Sequence, residues 1–319
     1  MKNPKSSSSV KDIPATFGGL GFEYREISWE SDLGGIWQNT RVQSDGDVLR
    51  RVSLAWPSDV YKDIQNPDDA LLLEIPDVEK MREQCRTLID FYQGLGIQVD
   101  VLRDPNATPN WIFQRDLFNS TPDGVVLSRP ASKVRKGEEV LESVQLSNLQ
   151  IPMVAMIRGS GFMEGADILW LNSTVAFVGI GTRTNQEAVH QLQRLFPLVT
   201  FETFVLPAGI QHLLGLVNFI APNKVGVWKR HLTVEHHQIL EKYNLSIVNV
   251  TDDVEIKGKR GFNWVCLAPN HLLLPIDSVN VISQLSLLGI RISTVDISEY
   301  RKCGGGLGCL TGILCRSSV

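Results

Sequence analysis

The sequence lacks any long apolar run. Within its 319 residues, no stretch approaches the roughly 20 consecutive apolar residues that a membrane-spanning helix requires. The first segment, MKNPKSSSSVKDIPATFGG, also lacks the apolar core of a secretory signal. We therefore expect a cytoplasmic protein with no membrane partner, and a disordered tail over residues 1–16.

Excess basic charge is also missing. The 31 Lys and Arg residues are outnumbered by 35 Asp and Glu residues, which gives a formal net charge of −4. A nucleic-acid-binding protein would favour a basic stripe, so no nucleic-acid partner is expected. Cysteine is scarce, with five residues at positions 85, 266, 303, 309 and 315. We expect free thiols in a reducing compartment, and the spacing C-x5-C-x5-C is not that of a zinc site.

Internal repetition is the most informative feature that is present. Five segments have the pattern of an amphipathic helix followed by a strand. In the first, apolar residues recur every three or four positions from Val78 to Phe91, and Gly94 follows as a candidate left-handed C-terminal cap. The remaining four helix–strand pairs are predicted over 138–157, 185–206, 234–250 and 278–297.

A strand–turn–strand piece lies between successive units. Four such hairpins are complete, and the fifth, CLTGILCR, is predicted to pair with DVLRRVSLAWP near the other end of the chain. The alternation of helices and strands predicts the α/β class. Five similar units predict a five-fold pseudo-symmetric β/α-propeller over residues 17–319, a single domain. A doubly wound parallel sheet is less favoured, because no G-x-G-x-x-G opens a helix after a strand.

The repeat also predicts a site. In a closed ring, the same end of each unit faces the axis, so the residues at the start of each hairpin should meet. They are Asp116, Glu164, Asp167, His212, Asn263 and Cys309. A nucleophile, a base and several carboxylates are the groups that nucleophilic catalysis requires. Each residue alone has an ordinary structural explanation, such as a small buried hydrophobe for Cys309. His231, His236 and His237 are interpreted as solvated surface residues.

Five short motifs around these residues resemble those of a known enzyme superfamily. NWIFQRD is similar to the deiminase pattern N-x-x-F-x-R-D, and MEGAD to E-G-G-D. GTRTN, HLL and GGGLGCLTG resemble the segments that carry a carboxylate-binding arginine, the catalytic histidine and the nucleophilic cysteine. Together the motifs resemble the guanidino-group-modifying superfamily, the pentein enzymes. Arginine deiminase, dimethylarginine dimethylaminohydrolase and the arginine amidinotransferases belong to it.

This resemblance implies a pentein propeller that hydrolyses the guanidino group of arginine or a substituted arginine. Cys309 would attack the guanidinium carbon to form a thiouronium intermediate. His212 would protonate the leaving amine and then activate water, and Glu164 would orient His212 or share the guanidinium. The expected substrate contacts are Asp116, Asp167, Asn110, Phe113 and Asn263, with Arg129 and Arg183 for the α-carboxylate. Citrulline would be the product. No metal or organic cofactor is needed, and relatives are often homodimers.

One departure from the deiminase pattern bears on the substrate. Deiminases carry His-x-Asp, whereas this chain has Leu214 at the position of that Asp. The difference favours a substituted guanidine, such as an N-methylated arginine, over free arginine. An amidinotransferase remains the alternative within the superfamily. A non-catalytic ribosome anti-association factor or a ligand-binding propeller is the alternative outside enzymes, and Cys309, His212 and Glu164 argue against it.

Overall fold

A computed structural model describes residue 25 and residues 27–318, so the tail expected over 1–16 lies outside the described residues. Fifteen strands form five three-stranded sheets in this part of the chain. The strands are β1 (Val48–Ala55), β2 (Gln98–Leu102), β3 (Phe118–Thr121), β4 (Gly124–Leu127), β5 (Met153–Met156), β6 (Ile168–Asn172), β7 (Val175–Ile180), β8 (Thr200–Val205), β9 (Val217–Ala221), β10 (Lys224–Trp228), β11 (Ser246–Val250), β12 (Val265–Ala268), β13 (His271–Pro275), β14 (Arg291–Val295) and β15 (Gly312–Ser317).

All five sheets share one topology. In the sheet of β3, β4 and β5, the first two strands form an antiparallel hairpin and the third lies parallel to β4. The sheets β6–β7–β8, β9–β10–β11 and β12–β13–β14 repeat this arrangement. A parallel connection needs a crossover, and a helix supplies it in each unit. The predicted alternation of hairpin, helix and strand is therefore confirmed.

The fifth sheet joins the two ends of the described chain. Strand β15 pairs antiparallel with β1, from Val48 opposite Ser317 to Ser53 opposite Gly312, and β1 lies parallel to β2. The pairing predicted between CLTGILCR and DVLRRVSLAWP is confirmed. This sheet has the same order as the other four, although its hairpin strands come from distant parts of the sequence.

Ten α-helices connect or precede these strands over the described range. They are α1 (Trp29–Asp32), α2 (Val78–Gly94), α3 (Gln114–Leu117), α4 (Glu138–Asn148), α5 (Gln186–Leu195), α6 (Val234–Lys242), α7 (Asp253–Gly258), α8 (Val279–Leu287), α9 (Ser298–Lys302) and α10 (Leu307–Leu310). Short 3-10 helices span Asp59–Asp63, Pro67–Ala70, Pro109–Ile112, Lys133–Arg135, Gly165–Asp167, Leu213–Gly215 and Lys229–His231. Every helix in the part of the chain described falls short of the length and apolarity needed to span a bilayer.

Helix α2 shows how local sequence determines an element. Its N-cap, Asp77, accepts hydrogen bonds from the backbone N–H groups of Glu79 and Lys80, which satisfies two of the free donors at the helix start. The prediction that Gly94 forms the left-handed cap is wrong. Gly94 is the last helical residue, and Gly96 adopts the positive φ of +73°. The left-handed conformation is thus needed at residue 96, two positions after Gly94. Glycine adopts it without the steric clash that a Cβ would cause.

Burial differs between the hairpins and the third strands. Every residue of β3, β4 and β9 is buried, whereas β2, β8 and β14 are partly exposed along most of their length. The hairpins therefore form the inner layer, and the third strands lie outside them. The short helical segments that precede the hairpins, such as Gly165–Asp167 and Leu213–Gly215, contact strands of this inner layer.

One surface prediction is wrong. His236 is only 3% exposed, its Nε2 lies 3.0 Å from the carbonyl oxygen of Val205, and its ring stacks on Phe204. The neighbouring His237 is exposed, as expected. The first turn of α6 packs against β8, so one of two adjacent histidines faces inward.

Candidate active site

A cavity of about 470 Å³ lies where the segments that begin the hairpins meet. Seven of the predicted site residues line it, although they are spread along most of the chain. They are Asn110, Phe113, Asp116, Arg183, His212, Asn263 and Cys309. Glu164 lies directly behind His212 and contacts its ring. The structure thus brings together residues that the sequence separates by up to several repeat units.

Cys309 lies on α10, immediately after the glycine-rich loop, and is held by Asn263. The side-chain oxygen of Asn263 accepts a hydrogen bond from the Cys309 backbone N–H at 3.0 Å, and its Nδ2 donates to Sγ at 3.2 Å. A Cβ on Gly306 would lie 2.8 Å from Asn263, so the loop needs glycine there for this close approach. Asn263, predicted as a substrate contact, therefore positions the thiol as well.

The Cys309 thiol is protonated at neutral pH in the free protein. Burial and the charge of Asp116 raise its pKa to about 11, against the opposing hydrogen bond from Asn263. A thiol with this pKa is a poor nucleophile until a positive charge enters the site.

His212 and Glu164 form a buried pair, with Nε2 of the imidazole 2.7 Å from Oε2 of the carboxylate. Burial opposes protonation of His212, but the carboxylates of Asp116, Asp167 and Glu164 outweigh it and raise its pKa to about 9. Burial alone would raise the pKa of Glu164, yet the hydrogen bond from His212 and the charge of Arg135 lower it. At neutral pH the pair is an imidazolium on a carboxylate, so His212 holds a proton that it can donate.

Arg135 is a residue of the site that sequence reasoning missed. Its Nη1 donates to Asp116 Oδ2 at 2.6 Å and lies 3.4 Å from Glu164 Oε2, while its Nε donates to Glu138 at 2.8 Å. It is nearly fully buried and lines the cavity. The signal that could have found it is the spacing of Arg135 and Glu138 around the start of α4, an i,i+3 ion pair.

Asp116 has one oxygen without a partner. Its Oδ2 accepts from Arg135, whereas Oδ1 is buried and has no hydrogen-bond partner among the described residues. A buried acceptor left unpaired costs about 1–3 kcal/mol, so such groups are rare unless a ligand donates to them. Asp116 lines the cavity that holds Cys309 and His212. We therefore expect a bound ligand to donate a hydrogen bond to this oxygen.

Arg183 lines the cavity as expected, with its Nη1 3.3 Å from Glu164 Oε1. Arg129 and Asp167 do not line it. Arg129 donates to the carbonyl oxygen of Gly161 at 2.8 Å. The structure therefore does not support a direct substrate contact at Arg129.

Asp167 is fully enclosed and both its oxygens are used within the protein. Oδ1 accepts from the backbone N–H of Leu213 at 2.8 Å, and Oδ2 accepts from the Thr184 hydroxyl at 2.6 Å. Burial raises the pKa of Asp167 to about 7. This carboxyl anchors the turn that follows His212, which explains a carboxyl group in an apolar stretch without a substrate contact.

The position of Leu214 differs from the expectation. The side chain is buried, and a Cβ on Gly308 would lie 2.9 Å from its Cδ2. Leu214 lines a separate cavity of about 20 Å³ instead of the large one. It therefore packs behind the nucleophile loop, and the interpretation that it faces the substrate guanidinium is not supported.

Asp116, Glu164 and His212 also offer ligand atoms within 4.8 Å of one another, a spacing that a metal ion could use. Arg135 already contacts both carboxylates of this cluster. A fixed guanidinium at these oxygens opposes a metal cation by charge repulsion. The cluster therefore does not favour a metal ion.

The chain is similar to several known proteins. It is 24% identical over 243 residues to the N(G),N(G)-dimethylarginine dimethylaminohydrolase of Pseudomonas aeruginosa, covering 74% of this chain and 89% of that protein. A structure of the dimethylarginine dimethylaminohydrolase from that organism, complexed with citrulline, superposes with a TM-score of 0.67 at 21% identity, covering 83% and 98% of the two chains. An amidinotransferase of Microseira wollei superposes with a TM-score of 0.72 at 14% identity, covering 88% and 98%.

The fold and the site together define a member of the guanidino-group-modifying superfamily, as the motifs indicated. Within it, the family model described as "N,N dimethylarginine dimethylhydrolase, eukaryotic" matches residues 74–314. The match covers most of the chain, and the chain belongs to this family.

Proposed function

We propose that this protein hydrolyses a C–N bond in the guanidino group of arginine or a substituted arginine through a covalent intermediate on Cys309. The observation that carries the proposal is the unpartnered, buried Oδ1 of Asp116 beside Cys309 and the His212–Glu164 pair. A carboxylate oxygen that needs a donor fits a guanidinium, whose planar N–H groups form charge-assisted hydrogen bonds.

In the first step, the bound guanidinium lowers the pKa of Cys309 by its positive charge, and the thiol proton leaves to solvent. The thiolate attacks the guanidinium carbon and forms a C–S bond. His212 donates its proton to the departing nitrogen, so that the C–N bond breaks and an amine leaves. Glu164 keeps the imidazole in place and favours its protonated form.

In the second step, neutral His212 takes a proton from a water molecule that attacks the thiouronium carbon. The C–S bond breaks, the thiolate of Cys309 leaves, and a urea product such as citrulline forms. The role of Arg135 is to hold Asp116 Oδ2, which leaves Oδ1 directed at the substrate. An enzyme is favoured over a ribosome anti-association factor because this set of groups lies in one cavity.

The experiment is incubation with arginine, N-methylated arginines, agmatine and guanidino acids, with and without an amine acceptor. Citrulline with released amine or ammonia supports hydrolysis, whereas ornithine formed only with an acceptor supports the amidinotransferase alternative. We expect Cys309→Ser to abolish turnover, because a serine hydroxyl is far less ionised near neutral pH.

The matched control is Cys315→Ser, a buried cysteine of β15 that does not line the cavity. We expect Cys315→Ser to keep its activity. In both this variant and the unmodified protein, the peptide that contains Cys309 should increase in mass during turnover. Citrulline production by Cys309→Ser would contradict the mechanism. Loss of activity in Cys315→Ser alone would show that the wrong thiol had been assigned.

We also propose that the five sheets close into a single-domain, five-bladed propeller. The contacts between sheets support a closed circuit: β15 contacts β3, β1 contacts β12, and β12 contacts β9. The 3-10 helix Leu213–Gly215 contacts β6 and β7, and Gly165–Asp167 contacts β3. The predicted domain of 17–319 begins in residues outside the described part of the chain.

A further inference from the structure

Building on the proposed function, we propose that Asp45 is a positioning residue of the active site. It pairs with Arg115 and thereby fixes α3 (Gln114–Leu117), the short helix that carries Asp116. Asp45 lies outside residues 74–314, which the family model matches. This contact therefore comes from a part of the chain beyond the family match.

The segment that contains Asp45, residues 42–47, contacts all five sheets. The candidate catalytic groups lie just before the first strand of each hairpin, and the segment contacts these same strands further along. The contacted residues are Thr121 in β3, Trp170 in β6, Ala221 in β9, Cys266 in β12 and Arg316 in β15. None of residues 42–47, all of which the structure describes, lines the large cavity. An effect of this segment on the site must therefore pass through another residue.

Asp45 is held at three points. Its Oδ1 accepts from Arg115 Nη2 at 2.8 Å and its Oδ2 accepts from the Trp170 backbone N–H at 2.7 Å, while its own N–H donates to the Trp170 carbonyl oxygen at 2.8 Å. On the next residue, a Cβ would lie 2.6 Å from the Ala221 carbonyl oxygen, so only glycine fits at position 46. The carboxylate therefore reaches Arg115 from a fixed place.

Arg115 depends on this carboxylate. Both side chains of the pair are 7% exposed, and Asp45 is the one carboxylate that forms an ion pair with Arg115 among the described residues. Arg115 Nη2 also lies 3.4 Å from the carbonyl oxygen of Ile168, and its Nε has no partner in the described part of the chain. A buried cation that loses its counter-charge is strongly destabilised, so Arg115 would have to move towards water or another carboxylate.

Movement of Arg115 would reach the reacting groups along two routes. Arg115 directly precedes Asp116 in a helix of four residues. Arg115 and Asp45 also line the cavity of about 20 Å³ together with Gly308, the residue before Cys309, and α3 contacts α10. A misplacement of about 1 Å at a reacting group can cost about a hundredfold in rate. The ion pair thus keeps both the guanidinium-binding carboxylate and the nucleophile in place.

The first test replaces Asp45 by asparagine, which has nearly the same size. Asparagine has a single acceptor oxygen, so its amide group would meet either the Arg115 guanidinium or the Trp170 N–H, donor against donor. We expect Asp45→Asn to lower kcat/KM for the best guanidino substrate by about ten- to a hundredfold, mainly through kcat, because the guanidinium carbon is misaligned with Cys309. Steady-state kinetics and thermal unfolding are measured on the same samples.

The matched control is Asp100→Asn. Asp100 pairs with Arg51, the two side chains are 11% and 7% exposed, and neither residue lines the large cavity. We expect Asp100→Asn to lower the unfolding temperature as Asp45→Asn does, but to keep kcat/KM within about threefold, since a distant pair does not couple to the site. Small and equal effects of both variants on kcat/KM would assign Asp45 to stability alone and overturn the proposal.

A double-mutant cycle tests the route through Arg115. In a protein that already carries Arg115→Gln, Asp45→Asn should change kcat/KM by less than about threefold. Losses that multiply would mean that Asp45 acts through another contact, which contradicts the proposal. Arg115→Lys keeps the cation but lacks the planar fork, and it takes the place of Asp45→Asn if that variant does not fold. It should lower kcat/KM by a smaller factor, and an unchanged value would refute the proposal as well.

Alkylation of Cys309 by iodoacetamide separates this proposal from the proposed hydrolysis, because it needs no substrate. The charge of Asp116 contributes to the raised pKa of the thiol, so a displaced Asp116 should let alkylation begin at a lower pH. Mass spectrometry of the Cys309 peptide follows the reaction. A profile that is shifted by Asp45→Asn but not by Asp100→Asn supports the positioning role even if no guanidino compound is turned over, an outcome that would refute the hydrolysis. An unshifted profile overturns the positioning role alone.

Discussion

Asp116 and Asp167 occupy similar positions just before the first strands of successive hairpins, yet their surroundings differ. Both oxygens of Asp167 accept hydrogen bonds within the protein, from Leu213 and Thr184. One oxygen of Asp116 accepts from Arg135, and the other is unpartnered among the described residues beside the cavity. A repeat therefore predicts where a residue lies, whereas its hydrogen-bond partners decide whether it can bind a ligand.

The largest effect is expected at His212, which lines the same cavity as Asp116, and at Glu164, which contacts the His212 ring. His212→Ala and Glu164→Gln should each lower kcat by a hundredfold or more, because proton transfer to the leaving amine is lost. His237→Ala, at an exposed histidine, is the control. Steady-state rates with an N-methylated arginine provide the measurement, and rates near those of the unmodified protein would contradict the assignment of the pair.

The second prediction tests the comparison directly. Asp116→Asn should lower kcat/KM by about ten- to a hundredfold, since a charge-assisted bond to the guanidinium is lost. Asp167→Asn should instead mainly lower stability, by about 1–3 kcal/mol, because the Thr184 hydroxyl loses its acceptor. Thermal unfolding and kinetics of both variants separate the two roles. The opposite pattern would mean that Asp167 is the carboxylate that serves the substrate.

The third prediction concerns pH. In the free protein the pKa of Cys309 is about 11 and that of His212 about 9. Between pH 7 and 9 His212 stays protonated while the thiolate fraction rises, so kcat/KM should increase about tenfold per pH unit. Above pH 9 loss of the imidazolium offsets the gain, and the profile should level off. A profile that falls between pH 7 and 9 would show that His212 loses its proton earlier.

The smallest catalytic effect is expected at Leu214, which lies two residues after His212 but does not line the large cavity. Leu214→Ala should change the preference for N-methylated arginine over arginine by less than about threefold, while the lost packing should cost about 2–5 kcal/mol of stability. Competition between the two substrates measures the preference. A larger change would restore the expectation that Leu214 contacts the substituted nitrogen.

Local patterns predicted the five long helices, the strands that follow them and the hairpins, but not the short helices α1, α3, α7, α9 and α10. The three- and four-residue spacing of apolar positions located α2, α4, α5, α6 and α8, and turn residues located the hairpins. The pairing of β1 with β15 also followed from the repeat, because one hairpin strand at the end of the chain lacked a partner. Within the elements, the errors at Gly94 and His236 arose because packing decided which residue turned or faced inward.

The candidate site was predictable only in part. Seven residues that the motifs and hairpin starts predicted do line one cavity. They are Asn110, Phe113, Asp116, Arg183, His212, Asn263 and Cys309. Arg135 did not follow, because no periodicity connects it to Asp116, 19 residues earlier, or to Glu164, which lies in the next unit. Arg129, predicted to bind the α-carboxylate, donates to the carbonyl oxygen of Gly161 instead. Sequence alone does not report which way a side chain turns.

The sequence by itself therefore determined the repeating hairpins and helices, the closing strand pair and the convergence of polar hairpin starts, because these depend on residue spacing along one chain. Only the tertiary structure decided which polar groups satisfy one another. Among the described residues, the free oxygen of Asp116, the saturated carboxyl of Asp167 and the position of Arg135 between Asp116 and Glu164 depend on contacts between residues that are separated along the sequence. Hydrogen bonds and ion pairs act over a few ångströms in space, and separation along the sequence does not encode that distance.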